Sequence, residues 1–229
     1  MTVNVSSIGL KGLEGYRVQV EVQVSKGTES MIIVGLPDTS VKESKERVLS
    51  AIRTLECDVT DQKIVVNLSP SEQKKNGPLF DLAMAIAVLK ERKQFNEAVP
   101  QETAFIGALS LDGSVAKVEG MLPALIAAKA LGFKRVVLPY DPLIPIEMLE
   151  GIECIVVQHI NDVLQYVRGQ VPLPLPIQSV PVKGLISPVE FQKDFSDIIG
   201  QEQAKLALEV AAAGGHNVFM TRSLKIRME

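Results

Sequence analysis

The sequence predicts an α/β fold in which aliphatic strands are covered by helices. Three observations carry this. Val18, Val20, Val22 and Val24 alternate with Gln19, Glu21 and Gln23, which is the period of a strand with one face in a core and the other in water. Asp81 to Leu89 is apolar nearly all round, as in a buried helix. Hydrophobic residues make up 46% of the 229 while aromatics make up 4% and Trp is absent, so the core must be built from Val, Ile, Leu and Ala.

The elements follow in order. Val3 to Leu10 reads as a strand, the alternating valines as a second, and Met31 to Val34, stopping at Gly35, as a third. Gly35-Leu36-Pro37-Asp38 turns the chain. Ser40 and Glu43 have capping-box spacing, so a helix is expected to start there, with Val41, Val48, Ile52 and Leu55 on its packed face and Lys42, Lys45, Glu46 and Arg47 in solvent. Ile64 to Leu68 is the next strand, and Ser69 to Pro78 a polar loop before the buried helix. Phe105–Leu111 and Ser114–Val118 flank Asp112-Gly113, a hairpin signal. Pro123 opens a helix that Gly132 closes; strands at Arg135–Leu138 and Ile152–Val157 and a helix at Asn161–Val167 complete the series.

Composition then shifts. Pro172, Pro174, Pro176, Pro181 and Pro188 mark a linker over about 169–193, which separates a domain at 1–168 from a second segment at 194–220 and an atypical tail at 221–229. The second segment carries a helix from about Gln201 to Ala213. The formal net charge of −3 gives no single-sign field for a polyanion, so a nucleic-acid contact needs a local basic spot; Lys74 and Lys75 are the best one. Cys57 and Cys154 lack metal-ligand spacing and read as reduced thiols, and His159 and His216 as structural residues, so no metal site is expected. Nothing approaches the roughly 18 apolar residues of a membrane span. With no signal peptide at Met1, the chain is expected to be cytoplasmic.

Four stretches carry a family resemblance. Gly35 to Val48 resembles the opening signature of the ComM/YifB family of Mg-chelatase-like AAA+ ATPases. Asn67-Leu68-Ser69-Pro70 and Gly77-Pro78-Leu79-Phe80-Asp81-Leu82 match further on, and Gly200-Gln201-Glu202-Gln203-Ala204-Lys205 with Ala212 to Asn217 resembles the entry into the AAA+ module. The resemblance implies a front domain of the Lon-protease type, of the ribosomal protein S5 domain 2-like class, followed by the start of a P-loop module. It implies a complete protein that binds ATP and Mg²⁺, assembles as a homo-oligomeric ring and acts on DNA, in competence-related branch migration.

The same resemblance poses the question of peptidase chemistry. Lon proteases use a serine nucleophile with a lysine base. Their Lys-Asp-Gly-Pro-Ser-Ala-Gly motif aligns with Lys75 to Asp81 and places Leu79 at the nucleophile. Their Gly-Gly-Leu-Lys motif aligns with Glu119 to Leu122 and places Leu122 at the base. Neither side chain carries a heteroatom, so no catalytic residue is expected. Ser69 or Ser71 with Lys74 or Lys75 is the alternative, a peptidase with an unusual dyad; a metal-chelatase motor subunit is another. For ATP, a phosphate loop needs Gly-x-x-x-x-Gly-Lys-Ser/Thr, and the sequence has no Gly-Lys dipeptide. Asp197 to Gln201 resembles the segment beside the adenine, so Ile198, Ile199, Gly200 and Gln201 are the candidate nucleotide contacts. The tail after Met220 departs from the family, as a frameshift, truncation or engineered end would make it, and this chain alone is expected to hold no cofactor.

Overall fold

The computed structural model describes residues 3–146, 149, 151–170 and 194–220. All of the expected linker except Gly169 and Gln170 lies outside them, as does the tail at 221–229. The chain divides into two units, 1–178 and 179–229.

The first unit is built on a seven-stranded sheet in the order β3-β4-β2-β1-β5-β8-β9. Its strands are β1 (Val3–Lys11), β2 (Glu14–Lys26), β3 (Ser30–Val34), β4 (Gln62–Ser69), β5 (Thr103–Phe105), β8 (Arg135–Pro139) and β9 (Glu153–Val157). β2 runs antiparallel to both β1 and β4; every other pairing is parallel. Period-2 alternation sorts the side chains between two cores. Val5, Val18, Val20, Val22, Ile64, Val66 and Leu68 point to the face covered by α1 (Thr39–Arg53) and α2 (Asp81–Glu91). Ile8, Ala104, Ile106, Val136 and Leu138 point to the other face, where Met121, Ala124, Leu125 and Ala128 of α3 (Met121–Ala130) pack. Every residue from Asp81 to Leu89 is buried, as the all-round apolar pattern requires. α4 (Ile160–Val167) adds Ile160, Val163 and Leu164 to the first core.

Three expectations are corrected. The N-cap of α1 is Asp38, whose side chain accepts from the Val41 N–H at 2.8 Å; Ser40 lies inside the helix. The Asp carboxylate wins because it also takes the Gly77 N–H, at 3.2 Å. Arg47 is not a solvated decoration but binds the buried Asp81. The hairpin around Asp112-Gly113 is short: β6 (Ala108–Leu109) pairs with β7 (Val115–Ala116), while Phe105 ends a strand of the main sheet. Gly107 separates the two at φ 145, a region closed to side chains, and a Cβ there would meet Val115 Cγ1 at 2.8 Å.

The second unit contains a turn of 3-10 helix at Phe195–Asp197 and α5 (Glu202–Gly214), which has no buried residue among those described.

Candidate functional site

The signature at 35–48 and the stretch at 75–82 meet in space. Lys75 N–H donates to the Leu36 carbonyl at 3.1 Å, and the Asp38 N–H donates to the Lys75 carbonyl at 3.0 Å. With Asp38 capping α1 and holding Gly77, the loop before α2 is fastened to the start of α1. Further along α1, Arg47 Nε donates to Asp81 Oδ2 at 2.7 Å and its Nη2 reaches Oδ1 at 3.3 Å and Ser44 Oγ at 2.8 Å. Asp81 Oδ2 also accepts the Leu109 N–H at 3.2 Å, tying α2 to the hairpin. Asp81 is fully buried, and burial pushes its carboxyl up against the opposing pull of Arg47, Ser44 and Leu109.

This clasp shapes one wall of a cleft of about 700 Å³. Asn76 to Leu79 form that wall, Leu10 and Gly12 a second, and Lys117 to Gly120, running on from β7, a third. Leu79 sits in the cleft and is 4% exposed, packed in the second core; its carbonyl accepts the Gly107 N–H at 3.1 Å. Leu122 does not line the cleft. It lies in the first turn of α3, 36% exposed, two residues after Gly120, which does line it. The position aligned with a nucleophile thus presents only a hydrocarbon to the cavity.

The lysine pair is split. Lys74 is exposed, with its carbonyl accepting from Tyr16 Oη at 3.0 Å. Lys75 is fully buried, and its ammonium donates to the Pro70 carbonyl. Loss of water pushes the Lys75 amine below its ordinary value. A buried ammonium bonded to the chain's own carbonyl is withdrawn from any surface phosphate, so of the two only Lys74 remains available. Ser71 is exposed and Ser69 ends β4.

Ile198 to Gln201 connect the 3-10 turn to α5. Ile198 is 47% and Ile199 98% exposed, and Gln201 caps α5 in the left-handed region at φ 60. Among the described residues no cluster of three His, Cys, Asp or Glu has the arrangement of a metal site. Burial pushes both thiols up, Cys154 to about 11, so neither is a ready nucleophile. His159 has a role its sequence position did not disclose: it is the N-cap of α4. No helix among the described residues is long and apolar enough to cross a membrane.

The comparisons follow the same outline. The family model of subunit ChlI of Mg-chelatase matches residues 20–142, more than half of the 229, and that of magnesium chelatase, subunit ChlI, matches 194–223. The protein named YifB of Escherichia coli is 34% identical over 209 residues, covering 91% of this chain and 40% of that protein. The competence protein ComM of Haemophilus influenzae is 32% identical over 207 residues, covering 90% of this chain and 40% of that one. The chain belongs to the ComM/YifB family of Mg-chelatase-like proteins. It spans about 40% of the length of these curated ComM/YifB relatives. The Lon protease of Clostridioides difficile is 28% identical over 163 residues, 66% of this chain and 20% of that protein.

Proposed function

We propose that this chain is the N-terminal, catalytically silent scaffold and binding portion of a Mg-chelatase-like AAA+ ATPase. In this reading residues 1–168 form a Lon-type domain of the ribosomal protein S5 domain 2-like class, and 194–220 are the entry of an AAA+ module. The observation that carries it is Leu79: the cleft is present, but the side chain offered at the nucleophile position is a buried leucine. Acyl transfer needs a heteroatom with a lone pair and a base within reach. The rival pair of Ser71 with Lys75 is disfavoured because the Lys75 ammonium is already bonded to Pro70.

The complete protein would bind ATP and Mg²⁺ in the module beyond this segment, form a homo-oligomeric ring and act on DNA. The name of the Haemophilus influenzae relative, a competence protein, supports that role. Ile198 to Gln201 would stand on the adenine side; for the phosphates a Gly-Lys-Ser/Thr loop is needed, and the chain contains no Gly-Lys dipeptide. A metal-chelatase motor is the weaker reading, since the Lon-type similarity covers the front domain.

The test is incubation of the chain with unfolded protein and a fluorogenic peptide panel, beside Ser71→Ala. No cleavage is expected from either. Turnover by the parent that disappears in Ser71→Ala would establish the unusual dyad and overturn the silent reading.

A further inference from the structure

The first wall of the cleft contains the pair Asn76-Gly77. Asn76 is exposed. Asn4, Asn67, Asn96, Asn161 and Asn217 precede Val, Leu, Glu, Asp and Val; only Asn76 precedes a glycine. The difference is chemical. Asparagine is a thermolabile residue because the nitrogen of the next residue can attack its side-chain amide. A side chain on that next residue stands in the way, and Gly77 has none. A Cβ built on Gly77 would meet nothing within 4 Å, so no neighbouring group crowds this part of the loop either.

The folded chain opposes the attack at one point. The electron pair that attacks is the one that held the amide proton, so it points along the N–H bond. That direction is already taken, because the Gly77 N–H donates to Asp38 Oδ2 at 3.2 Å. Asp38 is itself fixed as the N-cap of α1, where its Oδ1 accepts the Val41 N–H at 2.8 Å. Lys75, next to Asn76, is tied on both sides: its N–H donates to the Leu36 carbonyl at 3.1 Å, and its carbonyl accepts the Asp38 N–H at 3.0 Å. For reaction, Asn76 Cγ must come within about 3–3.5 Å of the Gly77 nitrogen, in line with that electron pair. The Asp38 carboxylate occupies the approach, so the bond to Gly77 has to open first.

We propose that Asn76-Gly77 is a deamidation site in the wall of the cleft, guarded by the Asp38 carboxylate. When the guard opens, the Gly77 nitrogen gives up its proton and bonds to Asn76 Cγ. The Cγ–Nδ2 bond breaks and, with that proton made good from solvent, ammonia leaves a cyclic imide. Water opens the imide at either carbonyl and yields aspartate or isoaspartate, so the balance is one water in and one ammonia out. Either product adds a carboxylate to a lining whose charged residues are Lys117 and Glu119, leaving it net negative. Isoaspartate also lengthens the main chain between 76 and 77 and draws the Gly77 N–H away from Asp38.

The test follows conversion at neutral pH and physiological temperature in the full chain, in its Asp38→Ser variant and in a synthetic peptide spanning Gln73 to Phe80. Cleavage after glutamate places Asn76 inside the fragment Gln73–Glu91, where mass spectrometry reads the change of amide to acid, with Asn76→Asp as the reference. Serine still caps a helix but is too short to reach Gly77 as well. Asp38→Ser is therefore expected to deamidate at Asn76 roughly tenfold faster than the parent, as loss of a bond to a charged acceptor implies. The peptide is expected to be faster still, and Asn67 and Asn96 to stay unchanged in both proteins. Thermal unfolding checks that the variant is folded; should it not be, the folded parent against the peptide decides. Equal rates in the parent and a folded Asp38→Ser, or in the parent and the peptide, overturn the guard. Conversion at Asn76 no faster than at Asn67 in the folded variant, or none in the peptide, overturns the site.

Discussion

Arg47 and Asp81 show what a single contact decides in this protein. Thirty-four positions separate them, and nothing in the local pattern distinguishes Arg47 from Lys42, Lys45 or Glu46. Only the folded chain brings its guanidinium to a carboxylate with no exposed surface. The pair is better read as a specificity device than as a source of net stability, because taking both charges from water offsets much of their attraction. Breaking it is different: Arg47→Ala leaves the carboxylate buried and unpaired and is expected to cost about 3 kcal/mol in denaturant unfolding at neutral pH. The pH dependence has a definite sign. Burial already holds the Asp81 carboxyl above its unfolded value, so the native state binds this proton more tightly, and its contribution to stability falls as pH rises through that window. Removing Arg47 takes away a downward pull and widens the window. The deficit of Arg47→Ala is therefore expected to shrink as pH falls and the raised Asp81 carboxyl takes up its proton, and a deficit that stays constant from neutral pH into the acid range would contradict the assignment.

At the scale of elements, the joint between the β6–β7 hairpin and α4 is the informative one. His159 Nδ1 accepts the Asn161 N–H at 3.1 Å, which places the ring proton on Nε2, 2.9 Å from the Asp112 carbonyl. Asp162 returns the bond, accepting the His159 N–H at 2.9 Å. Two main-chain bonds run beside it, Val115 N–H to the Gln158 carbonyl at 2.8 Å and Ile160 N–H to the Gly113 carbonyl at 2.9 Å. One imidazole thus caps a helix and fastens a hairpin. His159→Ala is expected to cost about 1–2 kcal/mol, from the lost cap and the orphaned carbonyl. His159→Asn restores the cap but is too short to keep the bond to Asp112, so it should recover part of the loss. Unfolding midpoints rank the three, and amide exchange at Val163 and Leu164 reports the helix directly. Equal stability of the Ala and Asn variants would show that the cap contributes nothing.

For the whole molecule, among the described residues the buried members of both cores lie between Val5 and Val167, and α5 buries none of its described residues. A chain ending at Gln170 is expected to unfold at the same temperature as the full one in calorimetry. A fall of several degrees, at about 2–4 °C per kcal/mol for a domain of this size, would mean that the later segment contributes to the first unit.

Most elements were legible in the sequence because their signals are local. Valines at period 2 place β2, an unbroken apolar run places α2, and a glycine after the last turn ends α3. The motifs likewise sufficed for the family. What tertiary structure alone decided was which of several equivalent polar residues does each task. Asp38 rather than Ser40 caps α1 because a loop 39 residues away offers it a second N–H. Lys75 rather than Lys74 turns inward, because the Pro70 carbonyl lies within its reach. The cleft was invisible for the same reason: its lining comes from four separated stretches, around Leu10, Asn76 to Leu79, Ala108 and Lys117 to Gly120, which only the fold brings together. Local periodicity sets what an element buries; only the packed chain sets which distant groups meet.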